Sequence, residues 1–260
     1  MRLRDKVIIV TGGTSGIGRA IAERAAAEGA RVLVHGIERA DGEAVLAKLG
    51  AASAALHLDD LGDAMSAPRI VAAAMRAFGQ IDGLVNNAAI VARSSLASTN
   101  AAFFDRMMAV NVRGPMLLIQ AALPYLKTTE GSVLNIGSIN AHSGQANLLD
   151  YSLSKGALQT LSRNLANAHC ADRVRVNHLN VGWVLTDREY AHQIEHGMAA
   201  DWPTTLPEQF APSGRLIMPE EIAAAAVYWL GDESRPISGS VLELEQYSII
   251  GRNPNKAAAK

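Results

Sequence analysis

The stretch Val7-Ile-Ile-Val-Thr-Gly-Gly-Thr-Ser-Gly-Ile-Gly18 decides the fold of this chain. Four apolar, β-branched residues run directly into a turn with glycines at 12, 16 and 18, and an Ala-rich segment follows. Glycines permit a tight turn and let a pyrophosphate approach the backbone, while the next helix offers free N–H groups and a partial positive charge. The stretch therefore predicts a dinucleotide site between the first strand and the first helix. The alternative is a glycine-rich turn that only lets helix and strand pack closely.

Short apolar runs alternate with longer Ala-rich segments along the rest of the chain. The strand candidates are Val7 to Val10, Arg31 to Val34, Ala54 to Leu58, Gly83 to Val85, Ser132 to Ile136, Arg175 to Leu179 and Ser240 to Leu244. The helix candidates are Gly18 to Glu28, Gly42 to Leu49, Ile70 to Phe78, Phe103 to Leu126, Tyr151 to Ala171 and Pro219 to Leu230. Alternation of this kind predicts an α/β fold, a Rossmann-like doubly wound parallel sheet of about seven strands with helices on both faces.

Length and composition indicate one globular domain over 1–252, followed by a polar tail over 253–260 that is a candidate for disorder. Lys and Arg number 24 and Asp and Glu 25, so the near-zero net charge gives no general attraction to nucleic acid or an anionic membrane. One cysteine, Cys170, excludes an internal disulfide framework. No apolar run has the length of a signal-peptide core or a membrane span. We expect a cytoplasmic protein.

The glycine spacing carries a family resemblance. Three residues separate Gly12 from Gly16, where the commoner dinucleotide turn has one. The turn Thr11-Gly-x-x-x-Gly-x-Gly18 resembles that of the short-chain dehydrogenase/reductase family. The resemblance implies a nicotinamide dinucleotide held at this turn by Gly12, Thr14, Ser15, Gly16, Ile17 and Gly18.

A serine and a Tyr-x-x-x-Lys pair give the strongest catalytic signal. Ser138 follows the fifth predicted strand, and Tyr151 and Lys155 stand four apart, so they share one face of a helix. A nearby ammonium lowers the pKa of a phenol, and a serine hydroxyl can hold a reacting oxygen. The family resemblance implies that Tyr151 is the acid/base, that Lys155 lowers its pKa and holds the ribose, and that Asn111 relays the proton through a water.

Further cofactor positions follow from the resemblance. Asp60 and Leu61 would hold the adenine, with Asp59 as an alternative register; a helix-capping role is the competing interpretation. Positions after the fourth and sixth strands would line the nicotinamide half of the site: Asn87, Ala88, Ala89, Gly182, Val184 and Thr186. The chain departs from the family pattern where Ala89 replaces a glycine, where Val181 replaces a proline, and where Glu245-Gln246-Tyr247 replaces Asp-Gly-Gly.

The second strand bears on the choice between NADP and NAD. A carboxylate at its end repels the 2′-phosphate of NADP, but here the strand runs into Gly36 and Ile37. Arg39 is either a partner for that phosphate or a solvated charge. The missing acid favours NADP over NAD.

Polar residues between Ser138 and Tyr151, with others around them, suggest a hydroxylated or carboxylated small molecule. The candidate substrate residues are Arg93, Asn140, His142, Gln145, Trp183 and Tyr190. The segment 186–215 reads as a substrate lid, whose aromatic residues either line the substrate or pack the lid onto the body. His142 has no second histidine at ligand spacing, and we expect no metal site.

These observations predict an NAD(P)-dependent oxidoreductase acting on a small polar alcohol or ketone, with a sugar or polyol favoured. A non-catalytic dinucleotide sensor on the same fold is the alternative, because fold alone does not separate the two. An enoyl reductase or an epimerase is disfavoured by the Tyr–Lys and glycine spacings. The Ala-rich faces of Phe103 to Leu126 and Lys155 to Ala168 suggest a homotetramer or homodimer.

Overall fold

A seven-stranded parallel sheet forms the centre of the computed structural model, which describes residues 1–249. The strands are β1 (Val7–Val10), β2 (Arg31–Gly36), β3 (Ala54–Leu58), β4 (Gly83–Asn86), β5 (Ser132–Ser138), β6 (Arg175–Val181) and β7 (Val241–Leu244). Their order across the sheet is β3-β2-β1-β4-β5-β6-β7. The predicted α/β class is confirmed, and the tail predicted over 253–260 lies outside the described residues.

The sheet order reverses direction between β1 and β4. All residues of β1, β4, β5 and β6 are buried, as strands covered by helices on both faces must be. In parallel α/β sheets a ligand crevice opens beyond the carboxyl ends of the strands at such a reversal. The glycine turn, the pair Asn86 and Asn87 at the end of β4 and Ser138 at the end of β5 all lie at this edge.

The helices are α1 (Gly16–Ala27), α2 (Arg39–Leu49), α3 (Ser66–Phe78), α4 (Ala101–Met108), α5 (Gly114–Thr129), α6 (Asn140–Ser143), α7 (Leu149–Ala168), α8 (Asp187–Glu195) and α9 (Pro219–Leu230). One prediction needs correction. The segment Phe103 to Leu126 is not a single helix, because a π-helical turn over Ala109–Arg113 separates α4 from α5. Such turns widen the helix locally and are frequent at functional sites.

Two apolar cores lie on opposite faces of the sheet. One packs α1 and α9 against the sheet, with Ile21 and Ile222 fully buried. The other packs α3 and α5, with Ile70 and Leu118 fully buried. Helices on both faces make the sheet doubly wound. Within residues 1–249, none of the helices has the length and apolar character needed to cross a membrane.

The segment predicted as a lid, 186–215, carries little regular structure. It contains α8 and a short 3-10 turn, Trp202–Thr204, over a small apolar cluster in which Trp202 is almost fully buried. Main-chain hydrogen bonds close its base. Leu185 N–H donates to the Ile217 carbonyl at 2.8 Å, and Ile217 N–H donates to the Trp183 carbonyl at 3.3 Å.

Candidate functional site

The glycine turn is held by Thr11 and Asn87, one from each strand at the reversal. The Thr11 hydroxyl accepts from the N–H groups of Asn87 and Ala88 at 3.0 and 3.1 Å. In return, the Asn87 side chain donates to the carbonyls of Thr11 and Gly12 at 3.0 and 3.3 Å. A Cβ at Gly18 would overlap the Gly12 carbonyl and the Asn87 amide, so glycine is required there. Asn87 thus fixes the shape of the turn.

The start of α1 is open to an anion. Ser15 occupies the N-cap position in extended conformation, its side chain makes no capping hydrogen bond, and the first turn of α1 carries no acidic residue. The first N–H groups of the helix and its positive dipole end are therefore available to a phosphate. Gly16 has φ +50°, and a Cβ there would meet the Thr186 methyl at 3.3 Å, so Thr186 closes the other side of this opening. These residues fit the pyrophosphate of a dinucleotide.

Gly36 leaves no room for the acid that would repel a 2′-phosphate. A Cβ at Gly36 would overlap the Thr14 side chain, which is buried within the glycine turn. Arg39, the cation considered for the phosphate, begins α2, is largely exposed and lies 3.4 Å from Glu43 across one helical turn. The structure therefore places Arg39 in an exposed i,i+4 pair.

The two aspartates after β3 both face arginines. Asp59 accepts from Arg69 at 2.6 and 2.8 Å, and these bonds hold the pKa of its carboxyl at about 2. Asp60 accepts from the Gly62 N–H at 2.8 Å and lies 2.9 Å from Arg106, with half of its side chain exposed. Asp60 thus organises the turn after β3 and does not cap α3, whose N-cap residue is Met65.

The serine, tyrosine and lysine converge at the carboxyl end of β5. The Ser138 hydroxyl hydrogen-bonds with Tyr151, and Lys155 Nζ lies 5.6 Å from the centre of the tyrosine ring. All three residues are buried. Lys155 Nζ donates to the Ile136 carbonyl at 2.8 Å. Since an ammonium has three donors, the other two remain open to hydroxyl groups such as those of a ribose.

The pKa values of the pair are set by burial. Burial raises the pKa of Tyr151 to about 12, and the hydrogen bond with Ser138 opposes that rise. Burial also lowers the pKa of Lys155 to about 8. Desolvation of the phenolate dominates the pKa of Tyr151 in this ligand-free structure, in which the Lys155 ammonium lies 5.6 Å from the centre of the tyrosine ring. Tyr151 is a protonated acid at neutral pH in this state.

Asn111 sits in the π-helical turn, and its side chain is fully engaged. Its Oδ1 accepts from the Ile90 N–H at 2.8 Å, and its Nδ2 donates to the Ile90 carbonyl and to Ser154 Oγ, each at 3.0 Å. The Ser154 hydroxyl in turn donates to the Tyr151 carbonyl at 2.7 Å. The side chain therefore ties the loop after β4 to α7. A water relay would have to use the main chain of the turn.

A buried polar network behind Ser138 escaped the sequence analysis. Asn180 is fully buried, and its Oδ1 accepts from the Ser138 N–H at 3.1 Å and from His178 Nε2 at 3.0 Å. Its Nδ2 donates to Gln159 at 2.6 Å and to His142 Nε2 at 2.9 Å. Burial lowers the pKa of His178 to about 4, so this histidine is neutral. The available signal was a strand candidate with several polar residues, among them His178 and Asn180, in a sheet whose strands must be buried on both faces.

His142, a substrate candidate, is bonded to this network and also lines an open hollow. Its Nε2 lies 2.9 Å from the Asn180 amide and 3.1 Å from Glu243 at β7. Asn140 and Gln145 lie beside it and line an open hollow against the α7 face that carries Ser152 and Gly156. Tyr151 and Lys155 are not among the residues that line this hollow.

The remaining substrate candidates divide between packing and solvent. Trp183 stacks on Trp202 at 5.5 Å between ring centres, and Tyr190 stacks on Trp202 at 6.3 Å. The Trp183 indole N–H donates to Glu189 at 2.8 Å. Trp183 and Tyr190 thus form one aromatic cluster around Trp202. The Arg93 side chain is exposed, with no hydrogen bond or ion pair to any residue in 1–249.

Gly182, one of the residues predicted after β6 for the nicotinamide half of the site, lies against a carboxylate. A Cβ at Gly182 would overlap the Glu245 side chain, so the glycine makes room for this residue of the departing C-terminal segment. Val184 is buried and forms a bridge with Ile217 at the base of the lid. Across residues 1–249, no group of three or more His, Cys, Asp or Glu side chains is arranged to hold a metal ion.

The chain is similar to known proteins over most of its length. Residues 12–245 match a family model described as enoyl-(acyl carrier protein) reductase. The chain is 34% identical over 253 residues to 2-(S)-hydroxypropyl-CoM dehydrogenase 3 of Xanthobacter autotrophicus, covering 94% of this chain and 96% of that protein. It is 29% identical over 249 residues to meso-2,3-butanediol dehydrogenase of Serratia marcescens, covering 94% and 95%.

Solved structures show the same similarity. A 3-oxoacyl-(acyl-carrier-protein) reductase from Agrobacterium tumefaciens C58 with NADP bound has a TM-score of 0.82, is 30% identical and covers 93% of each chain. A 3-ketoacyl-(acyl-carrier-protein) reductase from Brucella melitensis complexed with NADH also has a TM-score of 0.82, at 29% identity, and covers 93% of this chain and 97% of that one. One relative carries NADP and the other NADH.

Proposed function

This chain belongs to the short-chain dehydrogenase/reductase family, and from that premise we propose that Tyr151 is the acid/base of its reaction. The chain is an NAD(P)-dependent oxidoreductase acting on CH–OH groups. The observation that carries the proposal is the convergence of Tyr151, Ser138 and Lys155 at the sheet edge that also holds the open N-terminus of α1. The substrate we propose is a small polar alcohol or ketone, with a sugar or polyol favoured.

The nicotinamide supplies or accepts the hydride at the carbinol or carbonyl carbon when the dinucleotide is bound. Ser138 and Tyr151 act on the oxygen of that carbon. Their hydroxyl groups lie within hydrogen-bond distance of each other, so a substrate oxygen that replaces this bond can accept a hydrogen bond from each. In the reducing direction Tyr151 gives its proton to the forming alkoxide, and in the oxidising direction the phenolate takes it back.

Lys155 and Asn111 support this proton transfer. With a pKa of about 8, Lys155 is charged at neutral pH, and its positive charge stabilises a phenolate at Tyr151 once the reaction forms one. Its two remaining donors suit the ribose hydroxyls. For Asn111 we propose that a main-chain carbonyl of the π-helical turn, rather than the occupied side chain, holds the relay water.

The cofactor proposal stays with NADP or NAD, and NADP is favoured. Gly36 cannot become acidic without displacing Thr14, so the repulsion that selects against a 2′-phosphate is missing. The ion pair of Arg39 with Glu43 is exposed and therefore weak, which leaves the guanidinium available to a phosphate. Asp60 and Leu61 are proposed for the adenine, and Gly182, Val184 and Thr186 for the nicotinamide half.

Two further parts of the proposal concern the setting of the enzyme. Exposed apolar side chains lie on the helices α4, α5 and α7, and they suit contact with other copies in a homodimer or homotetramer: Phe104, Met116, Tyr125 and Leu153. A cytoplasmic location is proposed from the single exposed cysteine, which needs a reducing compartment to stay free.

Nucleotide titration together with two tyrosine variants tests the function. NADH and NADPH are titrated by nicotinamide fluorescence, and turnover is measured on a panel of polyols, sugars and ketones. Tyr151→Phe is expected to reduce kcat by roughly 10²–10⁴-fold while nucleotide binding persists. Tyr228→Phe is the matched control, because the Tyr228 side chain lies on α9 and has no part in the site.

Each other outcome has a defined meaning. Nucleotide binding without turnover on any compound would favour the dinucleotide sensor. If the unmutated protein binds neither NADH nor NADPH, the proposed function is contradicted altogether.

A further inference from the structure

The two residues that follow β7 contact both ends of the lid. Gln246 Oε1 accepts from the N–H and the hydroxyl of Ser213 at 3.0 and 2.6 Å. Gln246 Nε2 donates to the Arg215 carbonyl at 2.8 Å. One side-chain amide thus makes three hydrogen bonds with the segment through which the lid returns to the body.

Glu245 contacts the other end of the lid. Its Oε2 accepts from the Trp183 N–H at 3.3 Å, and its Oε1 accepts from the Gln246 N–H at 2.7 Å. The carboxylate lies directly against Gly182, where no side chain would fit. Half-burial raises the pKa of Glu245, while the two N–H groups lower it. The dipeptide therefore bridges the segment that enters the lid and the segment that leaves it.

These contacts lie between the catalytic edge of the sheet and the aromatic cluster of the lid. Trp183 is held through its backbone by Glu245 and stacks through its ring on Trp202. Phe210, three residues before Ser213, meets the Trp183 ring edge-on at 6.3 Å. A shift of either end of the lid would therefore displace the aromatic wall that Trp183, Trp202 and Phe210 form.

We propose that Gln246 and Glu245 are positioning residues for the substrate: they hold both ends of the lid so that its aromatic wall meets the bound substrate in one place. The inference rests on the proposed oxidoreductase function, and it assigns a role to the C-terminal dipeptide that replaces Asp-Gly-Gly. Neither residue touches the reacting atoms in this assignment. Their effect is on the fraction of molecules whose lid is correctly placed, and a smaller fraction raises the apparent KM.

If Gln246 only stabilised the fold, its loss would lower the global free energy of unfolding. The Gln246 bonds lie at exposed positions, where water competes for the same groups, so they add little to the global free energy of unfolding. Local opening of a segment depends on a few such bonds much more than global unfolding does. Loss of the Gln246 side chain should therefore change the lid and the KM while the unfolding midpoint in urea stays nearly constant.

The experiment compares two glutamines, Gln246 and Gln209, of which, among the described residues, only Gln246 makes side-chain hydrogen bonds with the lid. Gln246→Ala removes all three bonds, whereas Gln246→Glu keeps the acceptor for Ser213 and loses the donor to Arg215. Gln209→Ala is the matched control, because Gln209 belongs to the lid, is exposed and makes no hydrogen bond within residues 1–249. Substrate KM, kcat, nucleotide Kd and amide hydrogen exchange over 205–217 are measured for each variant.

We expect Gln246→Ala to raise the substrate KM about tenfold, with kcat and nucleotide Kd within about twofold of the unmutated protein, and to speed exchange at Ser213. The KM of Gln246→Glu should lie between those of Gln246→Ala and the unmutated protein. The KM of Gln209→Ala should equal that of the unmutated protein. Ser213→Ala, which deletes only the shortest of the three bonds, gives a milder change of the same kind if Gln246→Ala folds poorly.

Equal KM values and equal exchange rates in Gln246→Ala and Gln209→Ala would overturn the inference. A KM increase accompanied by a clearly lower urea unfolding midpoint would also overturn the inference, since that pattern marks a structural role. Failure of the proposed function looks different, because the unmutated protein would then bind no nucleotide or turn over no substrate.

Discussion

The side-chain oxygen of Asn180 accepts a hydrogen bond from the backbone N–H of Ser138, at 3.1 Å, in a fully buried position. The same oxygen accepts from His178 Nε2, so the asparagine couples the last residue of β5 to a second buried polar side chain on β6. Gly137 makes this approach possible, because a Cβ there would overlap both His178 and Asn180. Asn180 therefore orients the backbone of Ser138, the proposed catalytic serine.

Asn180→Ala should destabilise the protein and impair catalysis together. The change leaves the Ser138 N–H and the His178 ring N–H without acceptors in a buried site, at a cost of about 3 kcal/mol in the free energy of unfolding. His142→Ala is the comparison, because it removes the outer end of the network and leaves Asn180 bonded to Gln159. Urea unfolding and kcat are measured for both variants. Equal losses in the two would contradict the central place given to Asn180.

Gly36→Ala should destabilise the glycine turn through Thr14. The added methyl group would overlap the buried Thr14 side chain, and such overpacking costs roughly 1–3 kcal/mol. Thr14→Ala removes the overlapping atoms, so the double variant should recover part of the loss. A double-mutant cycle on unfolding free energies measures this coupling, which should be about 1 kcal/mol or more. Additive changes in unfolding free energy would show that the side chains at positions 36 and 14 are not in contact.

The buried histidines should make the protein less stable in mild acid. Burial lowers the pKa of His35 and of His178 to about 4, from 6.5. Between these values the unfolded chain binds more protons than the folded one, so stability is complete above pH 6.5 and falls as the pH drops toward 4. Each histidine accounts for a loss on the order of 3 kcal/mol by pH 4.

Urea midpoints between pH 5 and 7 measure this dependence. His178→Gln should be less stable at pH 7 but show a shallower slope, because one titrating group is gone. The Asp59 carboxyl, whose pKa is held at about 2 by Arg69, contributes only at lower pH. An unchanged slope in the variant would show that His178 is not the buried neutral base described here.

The pH profile of carbonyl reduction should show a loss of kcat/KM above about pH 8. Measured for the nucleotide, this parameter reports the free enzyme, in which burial places the pKa of Lys155 at about 8 and that of Tyr151 at about 12. Lys155 is charged below pH 8 and neutral above it, whereas Tyr151 keeps its proton throughout. Arginine keeps its charge at pH 9, so the residual activity of Lys155→Arg should lack the break. A break that persists in this variant would assign it to another group.

Local signals were enough to predict the strands and most of the helices. The run of β-branched residues from Val7 and the glycines behind it mark β1 and its turn, and the observed strand has the predicted bounds. The predicted end of β5 at Ile136 falls two residues short, because Gly137 and Ser138 lack strand propensity and are held by pairing with β6. Asn111 shows the opposite limit, since no local pattern distinguishes a π-helical turn from the helix around it.

The sequence by itself determined the doubly wound fold, the glycine turn and the Ser138, Tyr151 and Lys155 set, because strand pattern, turn glycines and i,i+4 spacing are properties of neighbouring residues. Only the tertiary structure decided what surrounds them. Desolvation raises the pKa of Tyr151 against the expected influence of Lys155, and Asn180 meets Ser138 across 42 residues. Burial and long-range contact exist only once the chain is folded, since both depend on which distant segments exclude water from a group.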